Sequence, residues 1–235
     1  MAAPVSSEYV TDIRVGHLLS TGPANAIVTV MNDITIASAG LRGPAETEKR
    51  DAIVAAAEDH FSLYGYSKTT VSDLAKAIGY SKGYIYKFFE SKQAIGEAIC
   101  GNCLANILSA VDESIRDGIS ATDKFRRLFK TITERSAELF FEDRKLYDIA
   151  AVSAGECWPS SQKYVDQVAT LLRQIILEGR EAGEFERKTP LDETVRSIMQ
   201  VMQPFMHPLM LEHNLDVLPD AANEAASLVL RSLAP

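Results

Sequence analysis

From Glu46 to the C-terminus the apolar residues recur every three or four positions, the spacing that gathers them on one stripe of an α-helix. Ile53, Ala57, Phe61 and Tyr64 define a first helix that Gly65 stops. Thr70 with Asp73 three residues on predicts a capping-box start to a short helix through Leu74, Ala75 and Ile78, ended by Gly79. Ser81 caps a third helix holding Tyr84, Ile85, Tyr86, Phe88 and Phe89. Ser91 opens a fourth, running through Ile95, Ile99, Leu104, Ile107, Leu108, Val111 and Ile115 to Gly118. The same period predicts helices over 121–142, 145–155, 160–182, 190–213 and 219–233, punctuated by Gly183, Pro190, Asn214 and Pro219. No alternating strand pattern follows residue 45, so the fold class is all-α.

Residues 1–45 break this pattern, with Gly16, Gly22, Pro23, Gly40, Gly43 and Pro44 interrupting any helical run. The piece from Ile27 to Ile36 favours a strand but has no partner strand in a helical protein, so 1–45 is expected to be a loosely ordered extension. Met31 is an alternative start, which leaves open whether the first 30 residues belong to the protein. The remainder divides into a small helical unit at 46–92 and a larger one at 93–235.

Charge sharpens this division. The formal net charge is −8, which argues against phosphate binding until its distribution is examined. Residues 65–92 carry five lysines against two carboxylates, a balance of +3, whereas 93–235 carry 15 basic against 22 acidic residues, a balance of −7. A basic stretch inside an acidic chain is the footprint of a localised nucleic-acid contact. Three cysteines are too few for a disulfide scaffold, and no run approaches a membrane span or a signal peptide, so the expected location is the cytoplasm, with no membrane partner. No nucleophile elbow, Walker loop, dinucleotide fingerprint or metal-ligand cluster is present, so neither an enzyme nor a cofactor is expected.

Two short helices joined by a tight turn at Gly79, the second of them amphipathic and basic, form a helix-turn-helix pattern. Ala75 and Ala77 are small enough to let the helices pack closely. Ser81, Lys82, Tyr84, Tyr86, Lys87 and Lys92 supply donors for phosphates and bases. The run from Thr69 to Lys92, TTVSDLAKAIGYSKGYIYKFFESK, resembles the signature of the tetracycline-repressor (TetR) family of transcriptional regulators, and the likeness covers about 46–98. The resemblance implies an N-terminal three-helix DNA-binding domain and a C-terminal helical bundle for ligand binding and dimerisation. It implies that Thr70 and Tyr86 contact phosphates, that Lys82, Gly83, Tyr84 and Lys87 face base edges, and that Lys92 anchors a phosphate. Tyr84 departs from the small residue common at its position, so base preference does not transfer. Gly83 either lets the duplex approach closely or simply opens the helix.

The resemblance fades after about residue 98. Among the aromatics of the middle helices, Tyr147 and Trp158 are the preferred ligand contacts because each joins a large apolar body to a hydrogen-bonding tip. Pro204 and Pro208 are expected to kink the helix over 190–213 and free carbonyls near Phe205 and His207, which join the ligand candidates. His207 has no neighbouring histidine at metal-ligand spacing. The stripe Val195, Ile198, Met199, Met202, Phe205, Met206, Leu209 and the seam Ala222, Ala225, Ala226, Val229, Leu233 either pair two copies or close the core of one. The expected partners are therefore operator DNA, an apolar or amphipathic small-molecule effector and a second copy of the chain. The rival reading is a redox-sensing regulator built on the pair Cys100 and Cys103.

Overall fold

A computed structural model describes residues 44–235. The expected extension lies outside the described residues but for its last two positions, which begin α1 (Pro44–Tyr64). Proline suits that first turn, where no intrahelical N–H is required. The chain continues through α2 (Val71–Ala77), α3 (Lys82–Ile85), α4 (Lys92–Arg116), α5 (Ala121–Glu142), α6 (Arg144–Gly155), α7 (Pro159–Glu181), α8 (Leu191–Met206), α9 (Pro208–Leu211) and α10 (Asp220–Ser232), with a 3₁₀ turn at Leu215–Val217 before α10. No strand occurs among the described residues.

The capping residues act as their types dictate. The Thr70 hydroxyl accepts from Asp73 N while the Asp73 carboxylate accepts from Thr70 N, closing the capping box on α2. Ser81, Ser91 and Ser120 each accept from the backbone N–H three residues on, opening α3, α4 and α5. Gly65 and Gly79 hold φ of +85° and +72°, the left-handed backbone that ends α1 and turns α2 into α3.

Two expectations are corrected. The third helix is a single α-turn followed by tighter i→i+3 turns, with Lys87 N donating to Tyr84 O and Phe88 N to Ile85 O. The helix expected over 190–213 passes through Pro204 but breaks at His207, whose φ of −83° and ψ of 121° are extended. Pro208 forces that break, because its ring disfavours helical backbone at the preceding residue.

Around α1–α3 the core gathers Ile53, Phe61, Leu74, Ile85 and Phe89, and it is completed by residues from farther along the chain: Ile95, Ile99 and Cys100 from α4, Ile149 from α6, and Trp158. Ala75 is buried in this head and braces the turn, whereas Ala77 is exposed. The body packs Phe125, Leu128 and Phe129 of α5 with Val168 and Leu172 of α7, Ile198 and Met202 of α8, and Ala226 of α10. By length and apolar composition α4 is a helix able to cross a membrane. It packs against α1, α5, α6 and α7, and 39% of its apolar window is buried there.

The α8 and α10 stripes close the core of one chain. Val195, Ile198, Met199, Met202, Phe205 and Met206 are buried within it, as are Ala222, Ala226, Val229 and Leu233, whereas Leu209 is exposed. The apolar residues these helices turn outward are Val201 and Leu228, which a sequence period tuned to the core face does not pick out.

Candidate nucleic-acid interface and ligand cavity

The head presents Lys68, Lys76, Lys82 and Lys87 to solvent, together with exposed Thr70, Ser81, Gly83 and Tyr86. Lys82 lies over the Tyr86 ring at 5.6 Å and Lys87 over the Tyr84 ring at 5.9 Å, so each ammonium is held near an aromatic face while remaining free to meet an anion. A Cβ on Gly83 would meet nothing closer than Ser81 Oγ at 3.9 Å, so the fold itself does not demand glycine there.

Two of the expected contacts are half-buried and also carry contacts within the head. Tyr84 is half-buried, its ring between Tyr80 at 4.5 Å and Phe88 at 5.3 Å, and so it supports the recognition turn from one side. Tyr80, which the motif reading passed over, is the exposed member of this stack. Lys92 is also half-buried. Its Nζ donates to Tyr66 O at 3.1 Å and sits 4.2 Å from the centre of the Tyr66 ring, pinning the α1–α2 connection to the start of α4.

A second feature lies in the body. Residues of α4, α5, α6, α7, α8 and α9 surround a cavity with about 60 Å³ open to the centre of a water molecule, room for several waters or a compact molecule. Of the four expected ligand contacts, Tyr147 and His207 line it. Phe205 instead packs on Phe129 at 5.6 Å, and Trp158 belongs to the head core, meeting Tyr66 edge-on at 5.7 Å while its Nε1 donates to Glu156. The Tyr147 hydroxyl donates to Pro208 O at 2.5 Å, the carbonyl one residue beyond the break in the helix. Burial and the nearby Glu212 carboxylate push Tyr147 up to about 12, so it keeps its proton at neutral pH.

Reading by periodicity missed Tyr164, Gln203 and Cys100 in the cavity wall. Nothing in their spacing separates them from ordinary core residues, because the cavity exists only once six helices are assembled. Cys100 and Cys103 stand three apart on α4 as free thiols. Burial raises the pKa of both, that of Cys103 to about 12, which leaves little of the thiolate that oxidation requires.

Head and body also meet through polar contacts. Asp143 caps α6 by accepting from Lys145 N and Leu146 N, and its other oxygen accepts from Ser62 Oγ of α1 at 2.5 Å. The Lys145 ammonium donates to the carbonyl of Leu63.

A basic head built on a helix-turn-helix, joined by a long helix to a bundle with an internal cavity, defines a DNA-binding transcriptional regulator rather than an enzyme. Residues 53–99 match the bacterial regulatory proteins of the tetR family, and residues 121–229 match the tetracycline repressor-like C-terminal domain. The chain belongs to the tetR family of transcriptional regulators. Among similar proteins, the uncharacterised helix-turn-helix regulator YdgC of Bacillus subtilis is 20% identical over 189 residues, 80% of this chain and 94% of that one. The uncharacterised regulator YhgD of the same organism is 28% identical over 87 residues, 37% of this chain and 46% of that protein. The structure of the fatty acid degradation regulator FadR from Bacillus halodurans superposes with a TM-score of 0.59 at 20% identity, over 81% of this chain and 96% of that one, a likeness of fold.

Lys87→Ala is expected to weaken binding to the preferred DNA sequence by about 1–3 kcal/mol and to relax preference at one base pair. Lys92→Ala is expected to lower the melting temperature as well as DNA affinity, since it removes both contacts to Tyr66. Binding isotherms on matched and mismatched duplexes, beside a thermal melt, separate the two. A Lys92→Ala protein that melts like the native one rules out its structural role.

Proposed function

We propose that the protein is a ligand-responsive repressor that binds a palindromic operator as a dimer and releases it when a small molecule occupies the body cavity. The observation that carries this reading is Cys100. This one residue of α4 lines the cavity and also belongs to the hydrophobic core of the head. A ligand that shifts α4 by a fraction of an ångström therefore moves a wall of the head, and packed cores convert small shifts into discrete rearrangements. In a dimer the two heads must match two half-sites, so a small rotation of each α4 spoils the spacing. Release by a factor of ten requires a coupling of about 1.4 kcal/mol between the two sites.

Head residues Thr70, Ser81, Lys82, Gly83, Tyr86 and Lys87 are assigned to the DNA face, with Tyr84 and Lys92 supporting it. Tyr147 and His207 are assigned to the effector site. The dimer is assigned to the outward faces of α8 and α10, where Val201 and Leu228 are 39% and 61% exposed. Met202 and Ala226 are unsuitable probes of that interface because both are buried within one chain.

Selection from a random DNA pool is expected to yield a palindrome, and sedimentation of the full chain a dimer at micromolar concentration. Leu228→Glu places a charge in the proposed interface while leaving the monomer core intact, so it is expected to give a folded monomer that binds DNA far more weakly. A native protein that sediments as a monomer, or a Leu228→Glu protein that remains dimeric, overturns the assignment.

A further inference from the structure

A polar group in the wall of an apolar cavity is paired inside the fold, met by water, or left for a group that arrives from outside. The two tyrosines of this cavity divide along that line. Tyr147 Oη is paired with Pro208 O, whereas Tyr164 Oη is buried without a hydrogen-bond partner. His207 Nδ1, on the residue where the helix breaks, is likewise buried and unpartnered. Both residues line the same cavity, and the amide-bearing Gln203 stands one helical turn before His207 on α8. The rest of the wall is largely apolar, including Ile107, Leu139, Val165, Met206 and Leu211, and no Lys, Arg, Asp or Glu lines it.

From this arrangement we infer that the effector is a compact, uncharged, mainly apolar molecule carrying one hydroxyl or carbonyl group, held by Tyr164 Oη and His207 Nδ1. The inference rests on the reading of the cavity as an effector site. A carboxylate, phosphate or ammonium would lose its hydration with no opposite charge to receive it, and the cost of that desolvation excludes it. A pure hydrocarbon would leave the Tyr164 hydroxyl and His207 Nδ1 unpaired. A hydroxyl or carbonyl pairs with them and converts their stored desolvation cost into selectivity. Burial raises the Tyr164 pKa well above its usual value, which keeps the hydroxyl neutral and able to donate.

The test uses the full chain and three probes of one shape: 4-propylphenol, propylbenzene and 4-propylbenzoate. Calorimetric titration is expected to show the phenol binding about tenfold more tightly than either of the others. Tyr164→Phe is expected to cut the preference for phenol over hydrocarbon to about threefold, with His207 Nδ1 still able to pair, and without lowering the melting temperature of the protein alone, since the hydroxyl has no partner within the fold. Gln203→Leu, which removes a neighbouring polar group and not the assigned pair, should retain most of the preference. Tightest binding by the benzoate, an undiminished phenol preference in Tyr164→Phe, or a Tyr164→Phe protein that melts lower than the native one overturns the inference. Affinity for the selected palindrome is measured beside each titration. If the benzoate binds and releases DNA, the ligand class fails and the effector reading stands. If the phenol binds through Tyr164 and DNA affinity is unchanged, the class stands and the effector reading fails.

Discussion

Gly96→Val is expected to destabilise the protein by about 2–3 kcal/mol and to loosen the head from the body, because overpacking a filled site forces its neighbours out of position. Gly96 is buried in α4, and a Cβ built on it would meet Tyr66 Cε2 at 2.9 Å and Trp158 Cη2 and Cζ3 at 3.1 Å. Both rings are buried, so neither can swing into solvent without opening the core they close. Tyr66 is further held by the Lys92 ammonium and by an edge-on contact to Phe61 at 5.2 Å. The branched valine therefore displaces Trp158, Tyr66 or the helix itself. Trp158 is the only tryptophan, so its fluorescence reports the change directly. A urea titration followed by that signal should show a lower midpoint and a red-shifted native baseline. Operator affinity should fall as the head loses its support. Native-like emission together with unchanged DNA binding would show that the seam tolerates the added volume.

The second large effect is Phe129→Ala, expected to cost about 3–5 kcal/mol. Phe129 is 1% exposed on α5 and packs against Phe125 at 6.1 Å and Phe205 at 5.6 Å, so it joins α5 to α8 at the centre of the body. Removing the ring leaves a hole that the rigid faces of two helices fill only in part. Chemical denaturation should record the loss without the emission shift of the Gly96 variant, because Phe129 lies in the body and Trp158 in the head core. A cost below about 1 kcal/mol would mean that the helices collapse into the space and that the body is more plastic than its packing indicates.

What could be read from the sequence was local. Thr70 with Asp73, Ser81, Ser91, Gly65 and Gly79 each act on the backbone within four residues, so their caps and turns were legible, and the basic head followed from counting charge. The break at His207 is also local, but the preference of Pro208 for an extended preceding residue was outweighed in the reading by helical periodicity on both sides. The misplacements share a different cause. Trp158 looked like a ligand contact because of its chemistry, but its position is decided by Gly96, 62 residues earlier, which makes room for the ring in the head. Lys92 and Tyr84 are expected outward by motif, and the assembled head adds contacts that the motif does not show, to Tyr66 for Lys92 and to Tyr80 for Tyr84. Tyr147 and Tyr164 are equivalent in composition and helical context. Only the assembled bundle shows that one hydroxyl is already bonded to Pro208 and the other is not.

The completion of the head core by Ile149 and Trp158 bears on modularity. Helix-turn-helix heads are natural units for exchange, since a head grafted onto a different sensor would join a new input to an old operator. Residues 44–91 of this protein are not such a unit by themselves. Grafted elsewhere, they carry a hydrophobic recess shaped for an indole and an isoleucine that the new host does not supply. Any working chimaera must bring along the N-terminal part of α4 and the corner between α6 and α7, or rebuild that recess. The portable element of the fold is thus the head together with its socket, a unit dispersed along the sequence and contiguous only in space.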